Sequence, residues 1–242
     1  MLEIWHSEKE GHGTQNAYNE IYSGQGLLQR DSYYQWLISL LKPQPGRLLL
    51  DISCGQGRLV ELAQKKYQLK AMGVDFAIEG VREGMQRTPR AGWLVGDGEG
   101  LPLADASVDY VCHIGSLEHY LHPALGAREI NRVLKPGGRA CILLPNAFGA
   151  WGNIKHVWQH GEIFDDGQPL QRYGTRKTWG SLLITAGLKI EKTVGYGEID
   201  YPRNWKDFTW LALRPQKLLR GLLSLATPLN LANHFVFICQ RG

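Results

Sequence analysis

Leu48-Leu49-Leu50-Asp51-Ile52-Ser53-Cys54-Gly55-Gln56-Gly57-Arg58-Leu59 is the stretch whose reading decides the fold. Its three successive leucines read as a short strand buried on both faces. An acid closes that strand, and Gly55 and Gly57 let the chain turn sharply and approach a ligand closely. The helix that follows opens with unpaired N–H groups at the positive end of its dipole. Strand, glycine turn and helix start together make a place for an anionic group such as a carboxylate or a phosphate.

Before this stretch, Asp31 is expected to cap a helix over 31–42, with Tyr33, Trp36, Leu37, Leu40 and Leu41 on one face. Pro43-Gln44-Pro45-Gly46 ends it. Downstream, 70–74 reads as a second strand ending at Asp75. A helix over about 77–87 follows, stopped by Thr88-Pro89. Residues 91–95 make a third strand ending in Gly96-Asp97-Gly98, and 107–114 a fourth. Ala127, Ile130, Val133 and Leu134 mark a helix stopped by Lys135-Pro136-Gly137-Gly138. A fifth strand over 139–144 closes at Pro145. Residues 146–175 show no clean period. Trp179, Leu182, Leu183 and Ala186 then mark a helix that Gly187 stops. Residues 188–194 form a sixth strand, 197–231 a second irregular insert, and 234–239 the last strand. Alternation of strands and helices predicts a mostly parallel sheet with helices on both faces. Ligands of such sheets sit at strand carboxyl ends. Asp51, Asp75, Asp97 and Ile114 all fall there.

Composition bounds the rest. The 242 residues, 43% hydrophobic and 21% charged, suit one soluble α/β domain. A net charge of +4 with no dense Lys/Arg run does not indicate nucleic acid. No apolar run is long enough to span a bilayer, and Met1-Leu2-Glu3-Ile4-Trp5-His6 does not read as a signal peptide. Cys54, Cys112, Cys141 and Cys239 lie far apart without metal-ligand spacing, which predicts reduced, mostly buried thiols in a cytoplasmic protein and no metal.

Five motifs in order carry a family resemblance. They are the turn 51–57, the acid Asp75, the run from Asp97-Gly98-Glu99 through Ser107-Val108-Asp109, Ser116-Leu117-Glu118-His119, and Glu129-Ile130-Asn131-Arg132-Val133-Leu134-Lys135-Pro136-Gly137-Gly138. With them the chain resembles the class I S-adenosylmethionine (SAM)-dependent methyltransferases, in particular those similar to methyltransferase type 11. The resemblance implies a Rossmann-like three-layer α/β sandwich. Its seven-stranded sheet has the order 3-2-1-4-5-7-6 with the last strand antiparallel. It also implies one domain: an N-terminal helical cap (1–46), a SAM-binding core (47–145) and two substrate-side inserts (146–175 and 197–231).

SAM is the implied cofactor. The implied contacts are Tyr18, Asp51, Ser53, Gly55, Gly57, Asp75, Phe76, Asp97, Gly98, Glu99, Ile114 and Gly115. Asp51 would meet the ligand's ammonium. Asp75 would accept from both ribose hydroxyls, Phe76 would pack on the adenine, and Asp97 would accept from its amino group. Ser53 stands where the family has the first glycine of the turn; its hydroxyl is expected to add a contact at the amino-acid end. Val60 replaces the third glycine of the dinucleotide-binding pattern, which argues against a pyrophosphate.

The implied reaction is in-line methyl transfer to oxygen or nitrogen, less readily carbon, of a small molecule, a glycan or a lipid-linked intermediate. The alternatives are a SAM-binding partner without catalysis and a nicotinamide-dependent oxidoreductase. His119 follows the fourth strand and is either a catalytic base or a shaper of the pocket. His156, His160, Asp165, Asp166 and Tyr173 lie where a substrate cover is expected. Trp205, Phe208, Trp210, Leu211 and Leu213 with Arg203, Lys206, Arg214, Lys217 and Arg220 make a basic, aromatic stretch. It reads either as a lid packed on the domain or as a peripheral membrane contact over 203–225. Either a monomer or a homodimer fits.

Overall fold

The computed structural model of the chain describes residues 1–6, 12–24, 27–197, 202 and 204–242. Its elements run β1 (Leu2–Trp5), α1 (His12–Ser23), α2 (Asp31–Leu40), β2 (Leu48–Ile52), α3 (Arg58–Tyr67), β3 (Lys70–Asp75), α4 (Ile78–Arg87), β4 (Gly92–Val95), β5 (Val108–Ile114), α5 (Pro123–Val133), β6 (Leu134–Pro145), α6 (Lys155–His160), β7 (Leu170–Tyr173), α7 (Arg176–Thr185), β8 (Leu188–Tyr196), α8 (Trp205–Ala212), α9 (Pro215–Ala226) and β9 (His234–Arg241).

Seven strands form one sheet in the order β4-β3-β2-β5-β6-β9-β8. Counted within the sheet, that is the order 3-2-1-4-5-7-6 expected above. The first five strands pair in parallel, and β9 runs antiparallel to both β6 and β8. The period of two assigns each residue a face. Leu50, Ile52, Val111, Ile142, Leu144, Phe235 and Phe237 pack on one side with Ile130 of α5 and Trp179 of α7. Leu49, Cys112, Cys141, Leu143, Val236 and Ile238 pack on the other with Leu37 and Ile38 of α2 and Val60 of α3. Each fully buried Leu, Ile or Phe contributes about 1.5–3 kcal/mol, so both faces hold the sheet in register. Cys112, Cys141 and Cys239 are buried free thiols in these layers.

Local signals behave as expected at several ends. Thr175 caps α7, its hydroxyl accepting from the Thr178 N–H at 3.1 Å. Gly187 follows that helix in the left-handed region, with φ +93°. Asp31 does not cap. It is the first residue of α2, and its carboxylate instead accepts from the Arg58 guanidinium at 2.7 and 2.6 Å. A charged fork facing a carboxylate offers two charge-assisted bonds where a cap offers one. Pairing of β6 opens at Leu134 opposite Val108, breaks through the Lys135–Gly138 turn, and resumes at Arg139 opposite Tyr110.

The two inserts are more ordered than the sequence suggests. Within 146–175, β7 pairs antiparallel with β1, Arg172 lying opposite Glu3. The partner strand stands near the far end of the chain, so no local periodicity could announce it. Within 197–231, Pro215 opens α9 rather than merely interrupting a helix, as suits a residue with no N–H to place. Asn204 caps α8, accepting from the Asp207 N–H at 2.9 Å, and Asp207 accepts from Arg30 at 2.6 Å. That Arg30 guanidinium lies 4.0 Å from the centre of the Trp210 ring. Trp205 and Leu213 of this region are 76% and 79% exposed. Arg203 and the side chains of Lys217 and Arg220 lie outside the described residues. Among the described residues no helix is long and apolar enough to cross a membrane, and no cluster of His, Cys, Asp or Glu could hold a metal ion.

Candidate active site

The carboxyl ends of β2, β3, β4 and β5 open into two adjoining chambers of about 630 and 580 Å³. Ser53, Gly115, Ser116 and His119 line both. Tyr18, Asp75, Phe76, Asp97, Gly98 and Glu99 line the first, and Asp51, Gly55 and Ile114 the second. Gly57 alone among the expected SAM contacts lines neither. A Cβ there would sit 2.2 Å from the Trp93 ring, and its φ is +73°. Gly57 is therefore required as glycine by the packing of Trp93. Gly115 is the opposite case. It has φ +63°, and a Cβ would meet nothing closer than 3.8 Å. Open space at a left-handed glycine beside a chamber is room for something other than protein. Gly98 lies under the Tyr120 hydroxyl, which a Cβ would strike at 1.8 Å.

α1 covers the first chamber. Its Tyr18 hydroxyl donates to Gln168 of the first insert at 2.6 Å, and its Gln15 amide donates to the Phe76 carbonyl at 2.6 Å. The Tyr18 and Phe76 rings meet edge to face, their centres 5.3 Å apart.

Two acids dominate the electrostatics. Asp51 is 4% exposed and makes no ion pair among the described residues; burial and then the nearby Asp75 push its carboxyl well above the usual range. An unpaired buried carboxylate is costly and favours a cation as its neighbour. Burial likewise lifts Asp75 to about 6, against backbone N–H bonds that pull it down. One Asp75 oxygen accepts from the Gly55 N–H at 2.8 Å, the other from Ala77 at 2.9 Å. Asp75 thus ties the glycine turn to the end of β3. Asp97 accepts from the Glu99 N–H at 2.8 Å, while the Glu99 carboxylate is engaged by the His122 N–H at 2.7 Å.

Ser53 has φ +57°, a region that costs a non-glycine residue roughly 1 kcal/mol or more. Its hydroxyl lies 2.8 Å from that of Tyr120, which in turn lies 3.0 Å from His113 Nε2. The Ser53 hydroxyl thus has a partner inside the protein while the residue also lines both chambers. A short polar chain runs Ser53–Tyr120–His113 and holds the strained residue in place. Burial lowers His113 to about 3, so its ring stays neutral.

After β5 the chain makes a single 3-10 turn, Leu117–His119. His119 Nδ1 lies 2.5 Å from the Leu170 carbonyl, an acceptor only, so that nitrogen carries the proton. Nε2 therefore presents its lone pair, 3.9 Å from Glu118 and 4.0 Å from Asp166. Burial lowers His119, with Asp166 and the Leu170 carbonyl opposing it. Burial raises Glu118 to about 8, which leaves it largely neutral at pH 7. His156 and His160 lie outside both chambers, their rings against each other at 4.5 Å.

The residue that sequence reasoning missed is Arg172. It is 5% exposed; its Nε donates to Glu3 at 2.8 Å, and its other nitrogens donate to the carbonyls of Glu118, Tyr120 and Leu121. It fastens the segment that carries His119. Its only sequence signal was an arginine inside the alternating run Leu170-Gln171-Arg172-Tyr173.

Comparison with known proteins bears on the family and the fold. The family model for a methyltransferase domain matches residues 50–142. A ubiquinone/menaquinone biosynthesis C-methyltransferase, UbiE, of Caulobacter vibrioides is 30% identical over 179 residues, 62% of this chain and 70% of that protein. A chain of the Haloferax volcanii complex between the Trm112 methyltransferase activator and a methyltransferase superposes with TM-score 0.65 at 17% identity, over 93% of this chain and 97% of that one. The [4+2]-cyclase SpnF also superposes with TM-score 0.65, at 16% identity, over 94% of this chain and 93% of its own. Shape alone therefore fixes the fold and not the chemistry. The chemistry rests on the family match and on a relative alike in sequence, and by these the chain belongs to the class I SAM-dependent methyltransferases.

Proposed function

We propose that the two chambers hold SAM across the ends of β2, β3 and β5, and that the methyl goes to an oxygen or nitrogen of a small polar acceptor lying beside His119. The chain's own residues fit the ligand. Asp51, buried without a counter-charge, suits an ammonium. Asp75, on the wall of the first chamber, suits the ribose hydroxyls. Phe76 and Tyr18 suit an adenine face, and Asp97 its amino group. Gly115 leaves room where a sulfonium arm would pass. When bound, SAM supplies a methyl group on a positively charged sulfur. The two inserts supply the cover through Gln168, His119's partner Leu170, and Trp210.

One observation carries the acceptor side: the His119 lone pair at Nε2, fixed by the Leu170 carbonyl and lying between Glu118 and Asp166. A neutral imidazole held in this way takes a proton from an attacking hydroxyl or amine, an effect of about 10²–10⁴ in rate. A carbon acceptor, as the name of the Caulobacter relative states for that protein, would instead lose the proton of the methylated carbon after transfer. The exposed Trp205, Phe208 and Leu213, beside Lys206 and Arg214, also support a peripheral contact with anionic lipid. Failure to sediment with vesicles of anionic phospholipid would remove that contact.

The cofactor reading is tested by isothermal titration with SAM and its demethylated product. Asp75→Ala is expected to weaken binding by about tenfold or more, the size of one charge-assisted hydrogen bond. Unchanged affinity would contradict the assignment. Tritiated-methyl transfer into a cell extract then tests the chemistry. His119→Gln should lower labelling by about 10² or more at pH 7, with cofactor affinity kept. His119 is lowered from its ordinary value, so wild-type labelling should be flat above pH 6.5 and fall as the ring protonates below it.

A further inference from the structure

A third cavity, of about 350 Å³, shares Glu118 and His234 with the second chamber. Its wall is unlike the other two. Five buried polar residues line it, namely Glu118, Asn146, Asn153, Gln171 and Asn233, each 2–4% exposed. Three aromatic rings, Trp151, Phe164 and Tyr173, stand among them.

Two of the five are occupied in building the fold. The Asn146 amide donates to the carbonyls of Asn230 and Ala232 at 2.9 and 2.7 Å, and its oxygen accepts from the Phe148 N–H at 3.0 Å. The Asn153 oxygen accepts from the Phe164 N–H at 3.3 Å. The other three each keep a buried atom with no partner: Asn233 Nδ2, Gln171 Oε1 and Glu118 Oε2. Each such atom costs roughly 1–3 kcal/mol, and the three side chains that carry them line one small cavity.

The set is mixed. Asn233 offers a donor, Gln171 an acceptor, and Glu118 a carboxyl oxygen. A cation would leave the donor unmet, and an anion would leave the acceptor unmet. A hydroxyl both donates and accepts, so a molecule bearing several hydroxyls meets all three. Aromatic rings between amides suit the C–H faces of such a ring.

We propose that this third cavity seats the ring of a sugar-like polyol, with Asn233, Gln171 and Glu118 reading its hydroxyls and presenting one of them to His119. This rests on the reading of the two larger chambers as the SAM site. The presented hydroxyl gives its oxygen lone pair to the methyl carbon. The carbon–sulfur bond breaks with its pair left on sulfur, and the hydroxyl proton passes to His119 Nε2. The product is a methyl ether.

The test uses a panel of p-nitrophenyl glycosides (hexosides, 6-deoxyhexosides and N-acetylhexosaminides) beside catechol and menadiol. Binding to the whole chain loaded with S-adenosylhomocysteine is read by saturation-transfer NMR. Label transfer from tritiated SAM is read in parallel. At least one glycoside is expected to bind and to accept label. Gln171→Met should weaken that glycoside about fivefold, the size of one neutral hydrogen bond, with S-adenosylhomocysteine affinity unchanged. Glu118→Gln, which keeps a polar group of the same shape, should weaken it less. If S-adenosylhomocysteine binds while no glycoside does, or while only the flat aromatics bind, the polyol is wrong. If S-adenosylhomocysteine itself does not bind, the reading of the larger chambers fails first, and this one with it.

Discussion

Arg172→Met removes the one guanidinium that joins the first strand of the chain to the segment carrying His119. Met keeps the length and apolar stem, so the change is confined to charge and hydrogen bonds. Arg172 is 5% exposed, and its donors reach one carboxylate and three carbonyls. The carboxylate contributes little, because the Glu3 side chain is 40% exposed and its pair is screened; such pairs are worth at most about 1 kcal/mol. The carbonyls of Glu118, Tyr120 and Leu121 matter more. Removing a charged donor from one buried and two part-buried acceptors leaves them poorly satisfied, and the whole loss should be about 3–4 kcal/mol. For a chain of this size each kcal/mol moves Tm by about 2–4 °C, so a fall of roughly 6–16 °C is expected. Thermal and urea unfolding followed by circular dichroism measure it, with Glu3→Gln as the control. That control should shift Tm by no more than about 4 °C. An Arg172→Met protein within about 2 °C of the parent would refute the reasoning. So would a Glu3→Gln protein that falls as far, since the energy would then lie in the ion pair.

Gly57→Ala places a Cβ 2.2 Å from Trp93, so it should cost stability, about 2 kcal/mol or more. Gly115→Ala meets nothing within 3.4 Å, so it should cost only the roughly 1 kcal/mol of its positive φ while losing S-adenosylhomocysteine binding in calorimetry. The reverse pattern would exchange the two roles. Asp75 titrates near 6 in the folded chain and near 3.8 unfolded, so the native state holds its proton more tightly. That stabilisation is complete below about pH 4 and is lost as pH rises to about 6, by an amount of order 2–3 kcal/mol. The difference in urea stability between the parent and Asp75→Asn should therefore change across that window, and parallel profiles would refute it.

The sheet was legible because its signals are local. Leu48 to Leu50, the alternating faces and the glycine stops each lie within a few residues of the element they define. The order 3-2-1-4-5-7-6 followed from the family resemblance, and the register bears it out. The strand-end acids were legible for the same local reason. The hydroxyl neighbour of Ser53, Tyr120, is 67 residues away, and no spacing rule could reveal it. Turn and packing glycines look alike in sequence; at Gly57 only the Trp93 ring shows the packing role.

The least legible parts share one property: they depend on contacts between the chain's first strand, its first insert and the turn after β5. Arg172 reaches Glu3 across 169 residues and Glu118 across 54. His119 takes its tautomer from Leu170, two residues before that arginine in the same strand. The strand β7 therefore does two things at once. Its backbone sets which nitrogen of His119 carries the proton, and Arg172 holds the carbonyls on either side of it. Gln171, between them, turns to the third cavity. Alternation along three successive residues thus connects stability, the proposed proton acceptor and the proposed acceptor site. A change in the pairing of β7 with β1 should move all three together.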